Sequence, residues 1–280
     1  MKDINHLVIA ARDLDALCTT WAGLGFTLTP RGQHPFGTGN AVIQLHGSYL
    51  ELLSVTIPKD VVEHGVEEFS FSAFNRDYLA RHEGFSMLVL GTPDAAADIA
   101  KWRAAGLKTY APFDFSRMAR LPTGEDLRIG FSLAYTSTPA APWLGHFACQ
   151  HYAPQYFAQP QYLTHANTAR AVRDVWISGE GALDLAGHFG AVIGAAGVPE
   201  APGRIVFRTP TGDIVLADAK TFEAAFGVPP PHPEDGPHLA GLTIACASLD
   251  SFAGKGLGTV GERLVLPPAK AFGTAIAFSS

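Results

Sequence analysis

The sequence predicts an α+β fold assembled from tandem βαβββ modules, and three observations predict it. Asn5-His6-Leu7-Val8-Ile9 reads as a strand, Asp13 to Gly25 as a short helix, and two further strands follow, the last ending Tyr49-Leu50-Glu51-Leu52-Leu53. The same landmarks recur down the chain: an apolar strand, a small polar cap, a helix and a glycine. A composition of 47% hydrophobic and 16% charged residues, with 29 Gly and 20 Pro, suits a turn-rich α+β chain better than a helical bundle.

Taken in order, Leu7 to Ala11 leads into Arg12-Asp13-Leu14-Asp15 and a helix ending at Gly25. Met87 to Gly91 leads into Thr92-Pro93-Asp94-Ala95 and a helix ending at Gly106, and Leu242 to Ala247 leads into Ser248-Leu249-Asp250-Ser251. Asp or Ser at such a point accepts a bond from the free N–H groups of a first helical turn, and glycine reverses the chain at the end. A weaker copy has Arg173 to Ser178 as its strand and Gly181 to Ala195 as its helix. Arg204 to Arg208 and Asp213 to Ala217 form its hairpin, turning at Pro210-Thr211-Gly212. Ala41, Ile43 and Leu45 alternate with Val42 and Gln44, so one strand face packs on helices and the other lines a hollow. The aromatic, proline-punctuated stretch from Tyr152 to Pro160 reads as a packed connector between a domain at 1–155 and another at 165–280. Val228 to Pro237, with prolines at 229, 230, 231, 233 and 237, reads as a stiff exposed crossover.

A formal charge of −6 with no Lys/Arg cluster argues against nucleic acid as a partner. No apolar run reaches the ~18–20 residues of a membrane span. Cys18, Cys149 and Cys246 are odd in number, widely spaced and without a CxxC, as expected of buried thiols in a cytoplasmic protein. A homodimer through sheet edges is compatible with the pattern. No phosphate-binding loop, Ser-His-Asp order or HExxH helix is present.

His6 and Glu51 stand on the first and last strands of the first module, an imidazole and a carboxylate of metal-ligand type. Glu51 lies between Leu50 and Leu52, on the inner face with Tyr49 and Leu53, where a carboxylate needs a cation. That cation is a metal or one of Arg117, Arg120 and Arg128. The glycine-rich loop Gly32 to Asn40 brings His34-Pro35 toward the mouth of a pocket, and Arg117, flanked by Phe113 and Phe115, is placed to clamp a substrate carboxylate. His165 and Asn167 pack the connector against the first domain, whereas His82, His188, His232 and His238 read as surface or turn residues.

Asn5-His6-Leu7-Val8, His34 to Asn40, Tyr49-Leu50-Glu51-Leu52 and Cys149-Gln150-His151-Tyr152, with His165-Ala166-Asn167 downstream, resemble the vicinal oxygen chelate superfamily and its glyoxalase-like domain proteins. The likeness is good over residues 1–170 and thin beyond. It implies two glyoxalase/bleomycin-resistance/extradiol-dioxygenase-like domains, the first curled around a divalent metal that chelates vicinal oxygens of a small-molecule substrate. Carried over residue by residue, the metal ligands are His6, Glu51 and His151. Aligning Asp15 with Asp94 puts Phe85 opposite His6, one ligand short of four. Two imidazoles and a carboxylate suit Zn, Mn, Fe, Co or Ni. The resemblance also implies that Glu51 is a ligand or the catalytic base, and that Asn40 orients His34 or the substrate. The implied activity is metal-dependent lyase or isomerase chemistry, with ring-opening dioxygenation or metal-free binding of a drug or antibiotic as alternatives.

Overall fold

In the computed structural model, which describes residues 1–120, 124–156 and 158–280 but not the side chains of Ala119, Arg120 and Tyr156, β1 (Ile4–Ala10) is buried on both faces. It takes the centre of the first sheet, as a near-continuous apolar run should. After it come α1 (Leu14–Gly23), β2 (Gly32–Gln33), β3 (Thr38–Leu45), β4 (Ser48–Val55) and α2 (Phe71–Arg81). The second module supplies β5 (Gly84–Gly91), α3 (Ala95–Ala104), β6 (Lys108–Thr109), β7 (Phe113–Arg120), β8 (Asp126–Ser137) and β9 (Gly145–His151). The strand order is β2-β3-β4-β1-β5-β9-β8-β6, with β7 also paired to β8. β1 runs parallel to β4, β5 parallel to β9, and the two modules join through the antiparallel β1–β5 pair.

The second sheet repeats the plan with β10 (Ala169–Ser178), α4 (Ala186–Ile193), β11 (Val198–Ala201), β12 (Arg204–Phe207) and β13 (Asp213–Ala217). It continues through α5 (Ala219–Phe226), β14 (His238–Cys246), β15 (Gly258–Val260), β16 (Arg263–Leu266) and β17 (Ala275–Ser279), in the order β11-β12-β13-β10-β14-β17-β16-β15. The expected α+β class and tandem βαβββ order are therefore present, as two mixed sheets.

Local chemistry explains the elements, including those that depart from the repeat. Asp13 Oδ1 accepts from Asp15 and Ala16 N–H at 2.9 Å and so caps α1, and Asp94 caps α3 through Ala97 N–H at 2.9 Å. In the third module the helix shortens to a 3₁₀ turn plus α4, ending at Gly194 with φ +77°. The fourth keeps only a 3₁₀ turn, Asp250–Phe252, because Gly254, Gly256 and Gly258 follow at once and glycine disfavours helix. Two helices lie outside the repeat, each with a legible cap: Ser70 for α2 and Asp218 for α5.

One apolar core joins the two sheets. Leu7 and Ile9 of β1, Leu17 and Trp21 of α1, Trp102 of α3, Phe189 of α4 and Val175 and Ile177 of β10 belong to it. On its opposite face the first sheet carries Val8, Met87, Val89 and Phe147 with Phe71, Phe74 and Tyr78 of α2. The second sheet carries Trp176, Val206 and Val215 with Phe222 and Phe226 of α5. Among the described residues no helix is long and apolar enough to cross a membrane.

Histidines stitch the halves together, which corrects the surface reading of four of them. Asp235, in the proline-rich crossover, is buried and bonded by His82 and by Arg81 Nη2 at 2.6 Å, so that crossover is docked rather than exposed. The His82 and His232 rings stack at 3.7 Å, and His238 is buried beside them. His146 and His188 meet Nε2 to Nε2 at 2.7 Å. His165 fastens the connector as expected, accepting from Thr27 N–H at 3.0 Å and reaching Gln44 O at 2.8 Å, while Asn167 N–H donates to Gly25 O at 3.3 Å.

Burial, the largest influence in each case, holds His146, His165, His188, His232 and His238 below the ordinary histidine value, His146 down to about 3. The unfolded chain takes up these protons first, so stability is full above about pH 6.5 and declines as pH falls below it. The melting temperature should drop steadily from pH 7 to pH 5, and His188→Gln should flatten part of that decline. A melting temperature constant over this range in calorimetry would contradict the assignment.

Candidate functional site

β3 and β4 build the site through strict alternation. Leu50 and Leu52 enter the shared core, which turns Tyr49, Glu51 and Leu53 to the opposite face. The register pairs Val8 with Glu51 and Val42 with Glu51, and His6 lies two residues before Val8 on the same face. The β2–β3 turn, closed at Gly37 with φ +88°, folds His34 and Phe36 back over this face. α2 adds Phe71, and β7, β8 and β9 add Phe115, Arg117, Phe131, Leu133, Phe147 and Cys149. They enclose a hollow of about 40 Å³, room for a few water molecules.

Its polar centre is Glu51, only 5% exposed. Asn40 Nδ2 donates to Glu51 Oε1 at 2.5 Å. His6 Nε2 faces Oε2 at 3.7 Å, and His34 Nε2 faces Oε1 at 3.7 Å. Those gaps are too long for hydrogen bonds. Each ring is held from behind: His6 Nδ1 by Asn5 Oδ1 at 2.8 Å and His34 Nδ1 by the Thr38 hydroxyl at 2.8 Å. Tyr49 stacks on His6 at 4.4 Å and Phe36 on His34 at 5.0 Å, fixing both ring planes.

Burial dominates the electrostatics. It lowers His6 to about 3, helped by the charges of His34 and His151, and lowers His34 to about 3, helped by Arg117. Both imidazoles are neutral at physiological pH. Burial pushes Glu51 up to about 6, against the pull of the Asn40 bond and of Arg117. Glu51 is thus ionised at neutral pH yet more basic than an ordinary carboxylate. Cys149 is pushed up to about 12 by burial and by Glu51, so it is a thiol wall, not a nucleophile.

Of the residues singled out in the sequence, His6, His34, Asn40, Glu51 and Arg117 share this hollow. His151 does not line it. That ring sits two residues beyond Cys149, edge-on to Phe131 at 4.6 Å, and its Nδ1 accepts from Ala153 N–H at 3.2 Å. It borders a neighbouring groove, with Cys149 as the common wall. Among the described residues no three His, Cys, Asp or Glu side chains stand close enough together to hold a metal ion. Of the arginines that could answer Glu51, Arg128 is committed to Ser116 at 2.9 Å, the side chain of Arg120 lies outside the described residues, and Arg117 reaches the hollow.

Phe85 is not the counterpart of His6. Asp13, not Asp15, caps α1, so the counterpart of His6 is Met87, seven residues before the cap Asp94. Phe85 belongs to the shared core on the other face. Val89 pairs with Phe147 as Val8 pairs with Glu51, so Glu51 also has an apolar counterpart. Both ligand-type positions of the second module are therefore filled by apolar side chains. Tyr49, Asn5 and Thr38 were findable, lying beside His6 and His34 or their strands; Phe71 carried no signal, because nothing local shows which face α2 covers.

The fold is that of the two-domain vicinal oxygen chelate class. The chain belongs to the family described as the glyoxalase-like domain, which it matches over residues 4–192. No curated protein matches it. Among solved structures, a hypothetical protein from Staphylococcus aureus is similar over 100% of this chain and 99% of its own, with 14% identity and a TM-score of 0.74. A Mn(II)-bound glyoxalase from Novosphingobium aromaticivorans is similar over 99% and 82%, with 13% identity and a TM-score of 0.54. A 4-hydroxymandelate synthase variant from Streptomyces coelicolor is similar over 96% and 78%, with 14% identity and a TM-score of 0.51. At these identities the likeness is one of fold.

Glu51 should titrate near pH 6 by carboxyl carbon NMR, with Asn40→Ala moving it upward by about one unit, since the lost bond favours the ionised form. A midpoint at the ordinary value near 4.5 in the parent protein would contradict the burial argument.

Proposed function

We propose that this hollow is the active site of a metal-dependent enzyme of lyase or isomerase type, acting on a small oxygenated organic molecule. One observation supports the reading above others: two neutral imidazoles, each fixed at Nδ1, turn Nε2 toward different oxygens of one buried carboxylate. His6, His34 and Glu51 make a two-imidazole, one-carboxylate donor set, with His34 in the place first assigned to His151. Separations of 3.7 Å suit two ligands of one ion, each about 2.0–2.2 Å from it. Neutral rings bind without first losing a proton, and second-side bonds such as Asn5 to His6 orient them. Bringing all three onto one ion needs an inward shift of the rings, since the three do not converge as they stand. A Zn, Mn, Fe, Co or Ni ion held there would polarise a substrate oxygen as a Lewis acid.

The chain's own groups divide the remaining work. Glu51, where it detaches from the ion, would take a proton from a carbon next to a carbonyl. Asn40 holds one carboxylate oxygen and so aims the other. Arg117 offers a fork to a carboxylate of the substrate. Phe36, Phe71, Phe115 and Phe147 exclude water and face the substrate's carbon skeleton.

A second reading, small-molecule binding without chemistry, is favoured by Met87 and Phe147 at the positions matching His6 and Glu51. Chelator-dialysed protein titrated calorimetrically with Mn²⁺ separates the two. The enzyme reading expects one ion per chain, bound at least about tenfold more weakly by Glu51→Gln and by His34→Gln. It also expects the loaded protein to exchange solvent deuterium into a 2-oxo or 2-hydroxy carbonyl compound, slowed on the order of 100-fold or more in Glu51→Gln. Ion binding unchanged by either substitution, or absent while an aromatic ligand still binds, would leave only the second reading.

A further inference from the structure

The second sheet has lost the hollow of the first but keeps a different cleft at its rim. By strand register Glu51 corresponds to Val215, since Val8 pairs with Glu51 and Trp176 with Val215. Phe222 and Phe226 of α5 stack at 4.4 Å over this face and fill its centre. Between α5, β10, β12 and the β15–β16 turn remains a cleft of about 470 Å³, within the roughly 300–1,000 Å³ of small-molecule pockets.

Three guanidinium groups line it: Arg173, Arg204 and Arg263. Arg204 Cζ lies 5.1 Å from the centre of the Trp176 ring, whose Nε1 is anchored by Asp174 Oδ1 at 2.6 Å. Arg173 Nη1 is anchored on Ser279 Oγ at 2.9 Å. Arg204 Nε and Arg263 Nη1 are shut off from solvent without a hydrogen-bond partner among the described residues. The rest of each guanidinium is not buried, the Arg204 side chain being 30% exposed, so each keeps further N–H donors to offer an acceptor in the cleft. The acids nearby do not serve them. Glu200 is engaged with Arg208 and reaches Arg204 Nη2 only at 3.8 Å, and Glu262 forms no ion pair in the cleft among the described residues.

We propose that this cleft binds a small organic anion, its carboxylate or phosphate received by Arg204 and Arg263 with Arg173 at the rim. The carbon skeleton lies against Val260 and Ala225. Planar guanidinium forks suit both oxyanions, and a guanidinium braced on an indole loses little freedom on binding. The site is separate from the Glu51 hollow and stands whatever that hollow does.

Arginine Nε–H signals in proton–nitrogen NMR read the proposal directly, assigned from Arg204→Gln and Arg263→Gln spectra. Titration with inorganic phosphate, and separately with acetate, at constant ionic strength against chloride should move the Arg204 signal saturably. Arg263→Gln should weaken that response about tenfold or more, whereas Glu51→Gln should leave it unchanged. Response to phosphate alone identifies a phosphate ligand, and response to both a carboxylate-tolerant site. An equal response to chloride, a titration that never saturates, an unaltered response in Arg263→Gln, or its loss in Glu51→Gln would each overturn the assignment.

Discussion

A carboxylate held out of water by its own strand is the constraint on which the site depends. Leu50 and Leu52 commit β4 to the shared core, so Glu51 points into the hollow, only 5% exposed, and must find its partners there. An unpaired buried charge of this kind costs several kcal/mol, on the order of 3–5. Asn40 offsets part of it through one hydrogen bond, and Arg117 part through its field. The remaining imbalance keeps the carboxylate's proton affinity high, and the two imidazoles are desolvated by the same walls. Chemistry and burial are here one arrangement viewed from two sides.

The two sheets show how a repeated plan diverges by filling. In the first, α2 packs Phe71 and Phe74 beside the strands and leaves space over Glu51. In the second, α5 lays two stacked rings over Trp176 and Val215, and the acid has become a valine. The charged groups of that half stand at the rim instead, where Arg173, Arg204 and Arg263 line a cleft. The seam between halves includes His146, His165, His188, His232 and His238, all held below the ordinary histidine value by burial, so its integrity is tied to pH.

Much of this was legible in the residues, and the misreadings have physical causes. Period-two alternation around Leu50-Glu51-Leu52 shows which way Glu51 points, and the caps at Asp13 and Asp94 mark the modules. Arg12-Asp13-Leu14-Asp15 offers two aspartates, and only backbone geometry shows that the first is the cap; an alignment on the second lies two residues out and lands on Phe85. His34 was visible as a loop residue, but its facing Glu51 depends on the turn at Gly37 and the stacking of Phe36. The pairings of His82 with Asp235 and of His146 with His188 join distant segments, and no local pattern encodes them.

The central claim is that His6, His34 and Glu51 act on one shared ion. Anomalous diffraction from crystals soaked in Mn²⁺ tests it most directly. The account predicts one strong peak within coordination distance of both Nε2 atoms and a Glu51 oxygen, with the rings drawn inward. A hollow without a peak while manganese sits elsewhere, or a peak on His151 and Cys149 instead, would contradict it.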